Sequence, residues 1–118
     1  MIPIKRINLT ALYKSVLEVM RAVQSKKFMV LVTCKGKELC FLYPAEYTPA
    51  IKKHFINPTV LEINLTEFPR LGSEILSEWM DRGDWIELNF REKPRIIAIP
   101  FRHANILGTP LMEDSCPQ

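Results

Sequence analysis

Lys14 and Arg70 offer the clearest chemistry in this chain. Each is a cation about one helical turn after a threonine, Thr10 or Thr66, and threonine is a good helix N-cap. Cations near a helix start, with backbone N–H groups beside them, are suited to phosphate oxygens. Such contacts fix register on a duplex and weaken with salt. Lys5 and Arg6 precede the first of these threonines, so Lys5, Arg6, Thr10, Lys14 and Arg70 form the candidate set for contact with duplex DNA. Leu61 and Glu62 occupy the places of Lys5 and Arg6 before the second threonine, so the first half is expected to dominate any such contact.

Other reactive side chains are poorly arranged for catalysis. His54 and His103 are the only histidines, and neither has a nucleophile or metal-ligand spacing. His54 reads as an ordinary, half-exposed helix residue. Cys34 and Cys40 read as apolar strand fillers, because Phe90 and Ile96 stand 56 residues further on. Asp81 and Asp84 bracket Gly83 in what reads as a turn, and the 4 glycines form no phosphate loop. The expectation is a non-enzymatic chain with no metal, cofactor or small-molecule substrate.

The elements that position these residues come from a repeat. Residues 7–44 superpose without a gap on residues 63–100, at a constant offset of 56. Ile7-Asn8-Leu9-Thr10 recurs as Ile63-Asn64-Leu65-Thr66, Glu18 as Glu74, Lys37 as Lys93 and Pro44 as Pro100. Basic positions correspond as Lys14/Arg70, Lys26/Arg82, Lys35/Arg91 and Lys37/Lys93. Leu12, Val16, Val19, Met20 and Val23 have the spacing of one helix face, and Phe68, Gly72, Ile75, Leu76 and Trp79 follow in the same phase. Two units are too few for a solenoid, so each is expected to bury the other's open face.

Each unit reads as strand, helix and β-hairpin. Ile2–Arg6 and Thr59–Ile63 are the predicted leading strands. Helices capped by Thr10 and Thr66 run to about Ser25 and Asp81, with Pro69 in the first turn of the second. Phe28–Cys34 and Leu39–Pro44 form the first hairpin, Trp85–Phe90 and Arg95–Pro100 the second. Pro94 sits in the second loop, which is therefore expected to differ in detail from the first. Glu46–Phe55 reads as a connecting helix, Asn57-Pro58 as a break, and the stretch from Ile106 to Gln118 as irregular. The expected class is α+β, an intramolecular pseudo-dimer of a first unit, residues 1–57, and a second, residues 58–118. Trp79 falls on the core stripe, whereas Trp85 begins a strand and is open to a role as a surface anchor.

Composition agrees with a globular chain, at 118 residues and 47% apolar. Residues 1–57 hold ten Lys/Arg against three Glu, giving +7, and residues 58–118 hold six against ten Asp/Glu, giving −4. The first half therefore attracts anions, and the second half is a poor candidate. The imbalance also permits head-to-tail self-association. Three cysteines and no apolar leader point to reduced thiols in a cytoplasm, and no apolar run reaches the ~18 residues of a membrane span.

A leading strand, a helix with Glu18-Val19-Met20 and Val23, a hairpin with Val30-Leu31-Val32-Thr33 and Gly36, and then Pro44-Ala45-Glu46-Tyr47 resembles the N-terminal domain of Phd/YefM-family antitoxins. The second unit is similar more loosely, through Leu71-Gly72, Glu74-Ile75-Leu76, Gly83, Trp85-Ile86-Glu87-Leu88 and Pro100. The resemblance implies an α+β dimer that binds operator DNA with its folded domain and neutralises a toxin with a C-terminal tail. Two units in one chain look like a covalent form of that dimer. Two departures stand out: Tyr13 and Pro69 replace an arginine often found in the first helical turn of the family, and the stretch after Pro100 is short. Two readings therefore remain open, a DNA-binding, antitoxin-like regulator and a protein-interaction module of the same fold that has lost its DNA contacts.

Overall fold

Asn8 decides where the first strand becomes a helix. A computed structural model describes residues 2–106, and in it β1 (Ile4–Asn8) ends on Asn8, which has extended backbone and accepts the Ala11 N–H on its side chain at 2.8 Å. That bond makes Asn8 the N-cap of α1 (Leu9–Lys14). Thr10, expected to be the cap, is the second residue of the helix. Both residue types cap well, but β1 stays paired with the next strand as far as Asn8↔Thr33, leaving Thr10 inside the first turn. The two leading strands, Ile4–Asn8 and Val60–Asn64, accordingly begin and end one or two residues later than the spacing predicts.

The expected continuous helices are broken at one equivalent point in each unit. In the first, Ser15 leaves helical geometry and its hydroxyl donates to the Ala11 carbonyl at 2.9 Å, a back-bond that competes with the helix. There α1 ends and α2 (Val16–Gln24) begins. In the second, Thr66 does not cap a helix; its N–H and hydroxyl both donate to the Asn64 side chain, at 3.2 and 3.1 Å. A 3-10 turn follows at Phe68–Arg70, Leu71 is extended, and α4 starts only at Ser73, running to Arg82. Pro69 removes a backbone donor, which the short turn tolerates and a longer helix would not. The late start rotates α4 away from the expected phase. Leu76 and Met80 are buried, Trp79 is half-buried against the core, and Ile75 is 46% exposed.

The hairpins are β2 (Met29–Cys34) with β3 (Lys37–Pro44), and β5 (Trp85–Phe90) with β6 (Lys93–Pro100). Contrary to expectation, the two loops match. Each has two residues with positive φ, Lys35 (51°) and Gly36 (80°) in one, Arg91 (54°) and Glu92 (63°) in the other, and each ladder slips at the same place, after Val32 and after Leu88. This is the tight turn that suits the twist of antiparallel strands. Pro94 is the second residue of β6, beyond the turn, paired with Asn89. A glutamate in the left-handed region is strained where glycine is not. Glu92→Gly is expected to stabilise the fold by about 0.5–1 kcal/mol. A urea midpoint that rises checks this; one that falls would reveal a compensating contact by the Glu92 side chain.

Between the hairpins lie a 3-10 turn, Ala45–Tyr47, and a short α3, Thr48–Lys52; His54 follows α3 in an exposed turn rather than within the helix. The leading strand of the second unit is β4 (Val60–Asn64). After β6, residues 101–106 are helical. Cys116 and the irregular stretch expected beyond Ile106 lie outside the described residues. No helix among the described residues is long and apolar enough to cross a membrane.

All six strands join in one sheet, ordered β1-β2-β3-β6-β5-β4. Both outer pairs are parallel and everything between is antiparallel. At the centre Leu42 pairs with Ala98, its own counterpart 56 residues on, and the register runs out evenly from there to Cys40↔Pro100 and Pro44↔Ile96. The ladder is thus two-fold symmetric about that pair. One continuous row, Val30–Leu42–Ala98–Ile86–Leu61, faces a single side because directly opposed residues share a face. Packed with it are Leu12, Val19, Met20 and Val23 of the first unit and Phe68, Leu76 and Met80 of the second, all buried. The other side buries Phe41, Tyr43, Ile97 and Ile99. Central strands covered on both faces read as apolar runs, which is why β3 and β6 lack alternation.

Candidate nucleic-acid interface

The end of α1 meets the 3-10 turn of the second unit, where the Tyr13 and Phe68 rings pack edge to face at 5.3 Å. The Tyr13 hydroxyl is buried without a hydrogen-bond partner among the described residues, and burial, helped by the neighbouring Cys40 and Cys34, pushes it up to about 12. It stays protonated at any working pH. Above this junction opens a cleft of about 950 Å³, lined by 8–11, Tyr13 and Lys14 from the first unit, 33–36 from its hairpin, and 69–73 from the second unit.

The cleft brings together three of the five candidate residues, Thr10, Lys14 and Arg70. Lys14 and Arg70 occupy equivalent positions and reach it from the two units. Lys35 joins them from the tight turn, which the left-handed backbone of Lys35 and Gly36 carries over the cleft wall. All three cations are exposed, and among the described residues none of them is in an ion pair. No aspartate or glutamate is among the described lining residues. Three cations without an ion pair among the described residues, in a concavity whose described lining holds no acid, make the cleft itself locally positive.

Lys5 and Arg6 are elsewhere, on the edge strand β1. The Lys5 ammonium lies 5.0 Å from the centre of the Phe28 ring, at the start of β2. Arg6 donates to Glu38 at 2.8 Å, an exposed pair, and that hydrogen bond holds the Glu38 carboxyl below its ordinary range. Charged side chains on an edge strand also discourage edge-to-edge pairing. Lys35 escaped the candidate set because a lysine beside a hairpin is usually only edge protection. Its repeat as Arg91 was the available signal.

Next to the cleft the field reverses. A groove of about 690 Å³ runs between the first hairpin and α4, where Lys35, Lys37 and Arg82 face Glu38, Glu74, Glu78 and Asp81. Lys26, also basic in both units, is spent in an ion pair with Glu46 at 3.0 Å. Asp84 is buried and held by Arg82 at 2.6 Å, so the Asp81/Asp84 turn is anchored on one side.

The remaining polar cluster surrounds Trp85, which is fully buried rather than a surface anchor. Its indole N–H donates to His103 Nδ1 at 3.0 Å, and Phe55 meets Trp85 edge-on at 5.4 Å while lying tilted against His103 at 4.8 Å. Burial, and then the nearby Arg102 charge, lower the His103 pKa. The neutral ring is therefore the one the fold prefers. The folded chain binds fewer protons here than the unfolded one, so this contribution is complete above the ordinary histidine range and fades as pH falls through it. Urea midpoints compared at pH 8 and pH 5.5 are expected to drop at the lower pH, and by less in His103→Gln; equal drops would remove His103 from the effect. Cys40 is a buried filler on β3 with its thiol pushed up to about 12 by burial, and Cys34 is half-buried beside the cleft.

Compared with protein families, curated proteins and solved structures, the chain matches none of them.

Proposed function

We propose that this chain is a DNA-binding regulator of the antitoxin kind, two Phd/YefM-like units held as a dimer within one polypeptide. The observation that carries the reading is the acid-free cleft in which Thr10, Lys14, Lys35 and Arg70 converge from both units. A duplex phosphate backbone is the polyanion such a cleft suits, with cations supplying affinity and the Thr10 hydroxyl a further donor. The two-fold register at Leu42↔Ala98 supports the dimer-like arrangement, since it is the seam that two separate units would share. Lys5 and Arg6 lie outside this cleft, on the edge strand, with Arg6 paired to Glu38.

The test is fluorescence anisotropy on random duplex DNA across a salt series. Three phosphate contacts give a slope of log K against log salt near about −3, or roughly a 50-fold loss between 50 and 200 mM. No binding at low salt overturns the reading.

The second reading, a protein-interaction module, is favoured by the mixed-charge groove on α4. Glu74, Glu78 and Asp81 there would oppose a phosphate chain and suit a basic protein segment.

A further inference from the structure

The two units carry matching residues, but not the same charge, at the positions that form the cleft. Fifty-six residues beyond Asn8, Leu9 and Thr10 stand Asn64, Leu65 and Thr66, and Lys14 and Lys35 have Arg70 and Arg91 as counterparts. Two counterparts break the match in charge: Ala11 becomes Glu67, and Gly36 becomes Glu92. Both glutamates are exposed, Glu67 in the turn after β4 and Glu92 in the second hairpin loop. That turn sits at the hairpin end of β5, since the Leu65 N–H donates to the Asn89 carbonyl at 2.7 Å. Glu92 also holds a left-handed backbone at φ 63°, where Gly36 of the first unit is at 80° without strain. An acid thus stands at one of the loop's two left-handed positions, the one where the first unit has glycine. Along the same flank Glu62 replaces Arg6, and it opposes Glu87 across β4 and β5, where burial and the Glu62 charge raise the Glu87 pKa.

We infer that this protein engages duplex DNA from one side of its internal two-fold. The first unit, together with Arg70 across the cleft, contacts phosphate. The second unit's outer flank, through Glu67 and Glu92, turns the backbone away. This rests on the DNA-binding reading and sharpens its substrate: a duplex read through a single half-site rather than through an inverted repeat. Like charge against phosphate costs affinity in proportion to how closely the strand would approach.

The experiment uses the full chain and random duplex DNA, with Glu67→Gln/Glu92→Gln compared against wild type by anisotropy at several salt concentrations. Glutamine keeps shape and removes only charge. The variant is expected to bind roughly tenfold more tightly at 50 mM salt, with a slope steeper by about one contact. Ala11→Glu, placing the second unit's acid in the first, is expected to weaken binding by a similar factor. Its circular dichroism and urea midpoint serve as the check that it folds. If the wild type binds and Glu67→Gln/Glu92→Gln matches it in affinity and slope, one-sided engagement is overturned while DNA binding stands. If neither protein binds at 50 mM salt, both fall together.

Discussion

Trp85→Ala is expected to destabilise the fold by about 3–5 kcal/mol, the largest single-residue effect in the chain. Trp85 is fully buried, among the largest side chains in the core, and it closes three contacts at once. Removing it opens a cavity between β5 and the residues that follow both hairpins, because Phe55 and His103 come from those two separate segments. It also strips His103 Nδ1 of its donor, leaving a half-buried acceptor to find water. Trp85→Phe keeps a six-membered ring and loses the hydrogen bond and part of the volume, so its cost should be lower, about 1–3 kcal/mol. Urea unfolding of both variants checks the order. A Trp85→Ala cost below about 1 kcal/mol would mean that the cluster collapses to fill the gap.

The second large effect is on binding. Lys14→Glu combined with Arg70→Glu is expected to weaken binding to random duplex by on the order of a hundredfold at 50 mM salt, and to reduce the salt slope by about two. Both residues line the same cleft and neither has a partner among the described residues, so their replacement breaks no described ion pair. Stability should change by less than about 0.5 kcal/mol, as for other exposed sites. Lys5→Glu is the matched control, since Lys5 lies over Phe28 on the edge strand and outside the cleft lining. An effect of Lys5→Glu as large as that of the double variant would move the interface to the edge strand.

Much of the fold was legible because the repeat is gapless. The offset that aligned Ile7-Asn8-Leu9-Thr10 with Ile63-Asn64-Leu65-Thr66 makes β3 and β6 equivalent strands, and a two-fold antiparallel seam between them pairs one residue with its own counterpart; the structure selects Leu42 and Ala98. The helix starts are not decided by local sequence. Asn and Thr two residues apart are both competent caps, and only the reach of β1 along β2 selects Asn8. The interruption at Ser15 and Leu71 has no apolar-pattern signature, because the stripe on either side continues in type. Ile75 was consequently placed inside when the displaced start of α4 turns it out. In the site, Lys14 and Arg70 were legible as equivalent cations. Their convergence with Lys35 depends on the turn's left-handed backbone, which the Lys35-Gly36 pair suggests but Arg91-Glu92 conceals.

The seam at Leu42↔Ala98 has a consequence for how this chain could change over time. In an ordinary homodimer every substitution is made twice, once in each half, and a residue harmful in either place is lost from both. Here each position is written once. Glutamate stands at 92 where glycine stands at 36, and glutamate at 62 where arginine stands at 6. Association between the halves cannot be diluted away either, since both are tethered at a fixed effective concentration. Each half is therefore free to specialise without losing its mate.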